Sequence, residues 1–449
     1  MKVAFLTLGC KVNFYETEKM EADFEANHVT VVPFKEKADV YIVNTCTVTN
    51  IADRKSRQML HRARRLNPES IVVATGCYAE SGKAQLEDDD TIDVVFANRD
   101  KASIASQVLD YVKEHRPSWK VEENGNDDMG SRENVHESSP VEERTRKYIK
   151  IQDGCNQFCS YCIIPYARGR VRSRQMEEIL EEVRILAGNG YKEVVLTGIH
   201  ISSYGLDLDG RTNVGKGEDF PCDRLLALIS EIQKTEGIER IRLGSLEPRI
   251  ITEKLAEGLA KMDKFCPHFH LSLQSGCDNV LERMNRKYTA GEYYDRVEIL
   301  RRFFEDPAIT TDVIVGFPGE TEEEFAETER FLEKVEFYEM HVFKYSMRQG
   351  TVAAARKDQV PEDVKAARSD RLLALEQKQS AAYRERHLHK ETSILFEEEK
   401  EIDGKRYQVG HSKEYIRAAF ETEEEVSGQI LRGQLTQLLK PDILLFTKM

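Results

Sequence analysis

Along the first hundred or so residues, short apolar runs alternate with amphipathic stretches. Val3–Leu8, Val40–Thr45 and Ile71–Thr75 are continuous apolar runs too short for helices, which predicts buried strands. With helical stretches between them they define an open parallel α/β sheet domain over residues 1–115. Each run ends at a cysteine or a residue or two before it: Leu8-Gly9-Cys10, Asn44-Thr45-Cys46 and Thr75-Gly76-Cys77. Strand carboxyl ends of an open parallel sheet share one edge, and ligands bind there. Three cysteines far apart in sequence are therefore expected to converge.

From Arg116 to Glu143 the apolar period disappears. Pro117, several Asn, Gly and Ser, and an acidic excess from Glu122 to Glu143 predict a linker or surface insertion over 116–145. The alternation then resumes, with strand candidates at Tyr148–Gln152, Glu193–Thr197, Arg240–Gly244, His268–Leu273, Thr311–Gly316 and Met340–Tyr345. Six strands separated by helical segments predict a partial (β/α)6 barrel over 146–380, with function in the loops after the strands. One of these loops, Gly205–Asp219, is rich in Gly and Asp and is expected to be an exposed excursion. Pro361–His389 reads as one long connecting helix. Beyond it, over 381–449, short β-type runs (Ile394–Phe396, Tyr407–Val409, Tyr415–Arg417, Gly428–Leu431, Ile443–Phe446) predict a small β-barrel.

Composition narrows the class. In 449 residues, 40% hydrophobic and 32% charged positions describe a water-soluble chain, and no apolar run approaches the roughly 20 residues that span a bilayer. The N-terminus lacks the zones of a secretory signal, so a cytoplasmic location is expected. In a reducing compartment, nine cysteines, several in motif-like surroundings, point to metal or catalysis rather than disulfides. The net charge of −14 excludes a uniformly basic surface but not local basic patches.

Cys155-x-x-x-Cys159-x-x-Cys162 follows directly on the first barrel strand. Three thiolates on one tight loop can hold three irons of a cubane and leave the fourth open, whereas electron-transfer clusters use four ligands. A zinc loop is the alternative, but a closed zinc site needs a fourth protein ligand and no Cys or His follows at finger-like spacing. Thr197-Gly198-Ile199-His200 ends the second strand, and Val315-Gly316-Phe317-Pro318-Gly319-Glu320 ends the fifth, where Gly316 would let backbone approach a ligand. Both also read as simple strand-to-helix turns. Glu247, Gln274 and Asp312 lie at or just after strand ends and suit either ligand contacts or structural hydrogen bonds. Cys222, Cys266 and Cys277 read as small buried hydrophobes.

The triplet, with aromatic Tyr161 before its last cysteine, resembles the signature of the radical S-adenosylmethionine superfamily. Gly9-Cys10-Lys11-Val12-Asn13, Asn44-Thr45-Cys46-Thr47-Val48-Thr49-Asn50 and Thr75-Gly76-Cys77 resemble the N-terminal domain of its methylthiotransferase family, and within it the branch acting on threonylcarbamoyladenosine in tRNA. The C-terminal barrel is similar to the TRAM domain of tRNA-modifying proteins. The resemblance implies two 4Fe-4S clusters, one on Cys155, Cys159 and Cys162 and one on Cys10, Cys46 and Cys77. It implies S-adenosylmethionine as methyl donor and radical source, with cofactor contacts from Tyr161, Gly198, His200, Glu247, Gln274, Asp312 and Gly316. It also implies a reducing partner of flavodoxin or ferredoxin type, and transfer of methylthio to carbon 2 of the modified adenine. Helices starting near Asn13 and near Thr49 or Asn50 would direct their amino ends at the N-terminal thiolates. The pattern departs at Val352, where this branch commonly has proline, and in the acidic insertion.

An RNA partner, the tRNA anticodon loop, is supported by two basic runs, Arg54–Arg65 and Arg168–Arg174. Solvated charge is the plainer explanation of the helical run. Rival functions are methylthiolation of isopentenyladenosine or of a protein side chain, and a non-catalytic iron-sulfur RNA-binding protein.

Overall fold

The computed structural model describes residues 1–119 and 145–449, so the acidic insertion expected between them lies outside the described residues. The chain forms two compact units. One holds the N-terminal 119 residues with Cys162–Gly169 and Ser346–Arg348; the other holds Thr145–Tyr161, Arg170–Tyr345 and Gln349–Met449.

The N-terminal unit is a five-stranded parallel sheet in the order β2-β1-β3-β4-β5, formed by β1 (Lys2–Thr7), β2 (Thr30–Val32), β3 (Val40–Thr45), β4 (Ile71–Gly76) and β5 (Val94–Val95). The three strands legible as apolar runs are central. β3 and β4 are buried along their whole length, each large side chain contributing roughly 1.5–3 kcal/mol. β2 and β5 are edge strands of three and two residues, too short to leave a pattern. Helix α1 (Lys11–Ala26) begins two residues before the expected Asn13. Cys10, with extended backbone, is its N-cap residue, while the Asn13 amide donates to Leu8 O (2.7 Å) and Thr45 O (3.1 Å) and ties helix to sheet. Helix α2 (Asn50–Leu66) starts where expected, Thr49 Oγ1 accepting from Ala52 N at 3.1 Å.

In the larger unit, β6 (Arg146–Asp153), β7 (Arg172–Ser173), β8 (Glu193–Gly198) and β9 (Arg240–Leu243) form one sheet, and β10 (His268–His270), β11 (Ala308–Val315) and β12 (Glu339–Lys344) a second. The six expected strands are all present and pair in parallel within each sheet, and two isolated bridges, Ile241 to Phe265 and Leu246 to Leu271, link the β9 and β10 segments. The short β7 was not legible; it adds antiparallel to β6. Most of the Gly205–Asp219 excursion is exposed, anchored by buried Leu206 and Val214. A helix over Glu362–Glu385 leads to a closed barrel of β13 (Glu391–Ile402), β14 (Lys405–His411), β15 (Arg417–Glu421), β16 (Ile430–Lys440) and β17 (Ile443–Lys448), in the order β13-β14-β15-β17-β16. The run expected over Tyr415–Arg417 becomes strand only at Arg417, because Tyr415 turns the chain at φ +72°.

A buried ionic group fastens this barrel to the strands before it. Arg242 Nε donates to Glu193 Oε1 at 2.9 Å, Arg242 Nη1 to Lys413 O at 2.9 Å, and Arg240 to His411 O and Ser393 O at 2.8 and 2.7 Å. The Tyr415 ring lies between the guanidiniums of Arg146 and Arg242, 4.8 and 4.9 Å from its centroid. Burial opposes the Glu193 charge, yet Arg242, Arg146 and Arg240 together hold its carboxyl down at about 2. A carboxylate depressed in the folded state stabilises fully above its unfolded value and loses that contribution as pH falls through the folded one. Glu193→Gln is therefore expected to cost about 3 kcal/mol above pH 4.5, the gap to the parent closing as pH falls to 2. Urea denaturation of both proteins across that range checks it, and a constant gap would contradict it.

Candidate active site

The three N-terminal cysteines sit at the carboxyl ends of β1, β3 and β4, as the pattern predicts. Gly9 and Gly76 precede two of them at φ +106° and +98°. A Cβ on Gly76 would stand 2.4 Å from Thr45 O, and one on Gly9 2.9 Å from Cys46 Sγ, so the turns require glycine and bring the Cys10 and Cys46 loops into contact. Cys46 and Cys77 are buried and Cys10 is exposed. Burial, with the neighbouring sulfurs of Cys77 and Cys10 adding to it, pushes the Cys46 thiol up to about 11. Three sulfurs in one neighbourhood form a donor set suited to metal.

Beneath Cys77 lies a buried charged group. Arg168 Nε donates to Cys77 Sγ (3.2 Å), Nη2 to Asn13 Oδ1 (2.6 Å), and Nη1 and Nη2 to the Glu16 carboxylate (2.9 and 3.0 Å). Lys101 pairs with the same carboxylate and donates to Asn44 Oδ1 at 3.1 Å. Arg168 thus sets its guanidinium beside the sulfur while sharing the Glu16 carboxylate with Lys101. Arg348 braces the Cys46 loop: it donates to Thr47 Oγ1 (2.5 Å) and Asn50 Oδ1 (2.8 Å) and pairs with Asp53 at 2.7 Å.

In the larger unit, Cys155 and Cys159 follow β6 on a loop with Gly154 at φ +70° and Phe158 at +50°. The loop is stapled to the chain after Met284: Ser160 N donates to Met284 O (2.9 Å), Asn285 Nδ2 to Phe158 O (2.8 Å), and Arg286 Nη1 to Cys159 Sγ (3.2 Å). Burial pushes the Cys155 thiol up to about 11. Cys162 is partly buried and opens the Cys162–Gly169 segment that packs with the N-terminal unit.

Several of the remaining candidates gather near this loop. His200 N donates to Gln152 Oε1 at 2.7 Å and its Nδ1 lies 2.6 Å from Ser203 Oγ, while Nε2 is sealed from solvent with no partner. Burial, with Arg286 and Arg249 adding to it, drives its pKa down to about 3, so the imidazole is neutral. Glu247 Oε1 accepts from Arg249 Nε at 2.8 Å, but Glu247 Oε2 and Arg249 Nη2 are buried and unpaired. Each such atom costs about 1–3 kcal/mol. A donor, an acceptor and an imidazole left open together fit a small zwitterion such as the methionyl end of S-adenosylmethionine. Gln274 sits at φ +73°, a strained conformation for a non-glycine residue, with its N–H donating to Asp312 O. Tyr161 packs edge-on to Phe317, ring centroids 6.5 Å apart. Gly198 is crowded: a Cβ would meet Gln152 O at 2.8 Å. At Gly316, with φ +69°, a Cβ would stand 2.3 Å from Lys365 Cγ, so the position requires glycine. Asp312 pairs with His270 at 3.3 Å.

The basic runs divide. Arg168 is buried and belongs to the Cys77 group, and Arg174 pairs with Glu182 at 2.8 Å, so only Arg170 and Arg172 of that run are exposed. On α2, Arg57, His61 and Arg64 are engaged by Tyr78, Asp89 and Asp93, leaving Arg54, Lys55, Arg62 and Arg65 on the exposed face. Sequence reasoning missed Arg168, Lys101, Arg249, Arg286 and Arg348 as site residues, because a buried arginine and a solvated one look alike in a sequence. Cys222, Cys266 and Cys277 are buried, as expected. Among the described residues no helix is long and apolar enough to cross a membrane.

Comparison with known proteins follows the same division. The Radical SAM superfamily matches residues 149–332, and the uncharacterized protein family UPF0004 matches residues 2–97. The threonylcarbamoyladenosine tRNA methylthiotransferase MtaB of Bacillus subtilis is 41% identical over 437 residues, covering 96% of this chain and 93% of that protein. The protein of the same name from Aquifex aeolicus is 41% identical over 404 residues, 90% of this chain and 94% of its own. Among solved structures, the radical S-adenosylmethionine methyltransferase TsrM of Kitasatospora setae aligns with a TM-score of 0.55 at 16% identity, over 79% of this chain and 77% of that one, a likeness of fold.

In cluster-free protein, alkylation with mass mapping should label exposed Cys10 first. Cys46, buried and raised to about 11, should react slowly at pH 7.5, its rate climbing about tenfold per pH unit up to pH 9.5. A pH-independent Cys46 rate would contradict the burial assignment.

Proposed function

The chain belongs to the methylthiotransferase family of radical S-adenosylmethionine enzymes, and from that premise we propose that it adds a methylthio group to carbon 2 of N6-threonylcarbamoyladenosine beside the tRNA anticodon. The observation that carries this reading is the presence of two separate cysteine trios, each short of the four ligands of a saturated cluster, in a chain 41% identical over nearly its full length to a protein of that activity. Cys155, Cys159 and Cys162 would hold one 4Fe-4S cluster, and Cys10, Cys46 and Cys77 the other. When bound, these clusters and S-adenosylmethionine supply the electron, the methyl group and the sulfur that the reaction consumes.

The chain's own residues orient and shield. Arg168 and Arg286 donate to the Cys77 and Cys159 sulfurs and hold them in place. Glu247, Arg249 and neutral His200 would take the amino and carboxylate groups of S-adenosylmethionine with the polar atoms now left unpaired, and Tyr161, Gly198, Gln274, Asp312 and Gly316 would form the rest of its surroundings. The exposed cations of α2, with Arg170 and Arg172, would meet tRNA phosphates. A modified base in a single-stranded loop can be unstacked without opening a duplex. In this reading residues 1–115 carry the second cluster, 146–380 perform the radical step, and 381–449 act as a TRAM-like grip on RNA. A cytoplasmic flavodoxin or ferredoxin would supply the electrons.

Two measurements test it. Anaerobically reconstituted protein should carry about eight irons, falling to about four in either triple Cys→Ala variant. Only the Cys10/Cys46/Cys77 variant should still cleave S-adenosylmethionine to deoxyadenosine. Nucleoside mass spectrometry of tRNA from cells lacking the protein should show loss of methylthio-threonylcarbamoyladenosine, restored only by the intact gene. Loss of the isopentenyl product would reassign the substrate, and unchanged tRNA would redirect the search to protein acceptors.

A further inference from the structure

The last three strands of the partial barrel carry a side-chain group of which the methylthiotransferase reading uses Asp312 alone, leaving its two histidines without a role. His270 ends β10, Asp312 lies within β11 and His341 on β12. The strands are adjacent and parallel, Asp312 standing in register with His341 and Thr310 with His270. Val313 and Val315 are buried in the main core, so the two-residue alternation of β11 turns Asp312 to the other face. On that face one ligating atom from each of the three residues lies within 4.8 Å of the other two. His270 Nε2 and Asp312 Oδ2 are 3.3 Å apart, and the two imidazole rings 5.7 Å between centroids.

Thr310 supports His270 from the side away from Asp312. Thr310 Oγ1 lies 2.9 Å from His270 Nδ1 and 3.5 Å from His268 Nε2. The 3.3 Å between His270 Nε2 and Asp312 Oδ2 is about the ligand-to-ligand separation in a tetrahedral site with bonds of about 2.0–2.1 Å. A proton would bridge two of these atoms, whereas the locus offers three. The contact from Nδ1 to Thr310 is the supporting bond that orients a metal-ligating histidine.

We propose that His270, Asp312 and His341 form a binding site for a divalent transition cation of the zinc class. Two imidazoles and a carboxylate are the donor set such ions select, and neighbouring strands hold the donors with little freedom. Three protein ligands leave a coordination position open, and Asp312 and His341 are reachable from solvent, so the site takes an exchangeable water or carboxylate as its fourth ligand. The assignment is independent of the cysteine clusters and of the tRNA substrate.

The test uses cluster-loaded protein, equilibrated anaerobically with Zn2+, desalted, and analysed for zinc and iron. The parent should retain about one zinc per chain, with an absorption-edge spectrum of nitrogen and oxygen ligands at about 2.0–2.1 Å. His341→Gln and Asp312→Asn should each weaken zinc binding tenfold or more with iron content unchanged. No retained zinc in the parent, equal zinc in parent and variants, or sulfur in the zinc shell would each overturn the assignment. Should a variant lose its iron as well, the parent's ligand spectrum decides.

Discussion

The cysteine edge of the N-terminal sheet depends on one buried interaction, the bidentate contact of Arg168 with Glu16. That carboxylate is also the partner of Lys101, and Arg168 reaches on to Asn13 and to the Cys77 sulfur. Asn13 in turn ties α1 to the carbonyls of Leu8 and Thr45, the residues that lead into Cys10 and Cys46. Removing either charge of such a pair would strand the other in a dry interior, at a cost of about 3–5 kcal/mol. The arrangement therefore holds three strand ends and gives them a positive environment at the same time. A set of thiolates needs both.

The same economy of charge recurs in the larger unit at two places with opposite outcomes. Around Glu193 three arginines hold the carboxylate low, and Arg240 and Arg242 donate to carbonyls of the C-terminal barrel, which fixes it. Around Glu247 burial instead raises the carboxyl, partly offset by Arg249 and Arg286, and polar atoms of Glu247, Arg249 and His200 stay unpaired. The first arrangement builds structure, and the second gathers an acceptor, a donor and an imidazole that a ligand would complete. The strained Gln274 lies on this second side of the division.

Much of this was legible in the sequence. Continuous apolar runs gave the central strands because a strand buried on both faces has no polar positions to interrupt it. The parallel rule for strand ends then brought Cys10, Cys46 and Cys77 together without any knowledge of side-chain positions. The edge strands β2 and β5, the start of α1 and the antiparallel β7 were not legible: two or three residues carry no period, and the N-cap role of Cys10 depends on its backbone rather than its side chain.

The sequence by itself determined the class of chemistry, since cluster ligation is set by residue type and spacing and survives translation into any compatible fold. What only the tertiary structure decided was the meaning of the charged residues. Arg168 reads as part of an RNA-facing run and is a buried brace; His270, Asp312 and His341 are 71 residues apart from first to last and meet on one face. The reason is physical. An apolar residue has one favourable destination, whereas a charge is stable in water or in a saturated interior pair, and only the partners brought by the fold select between them.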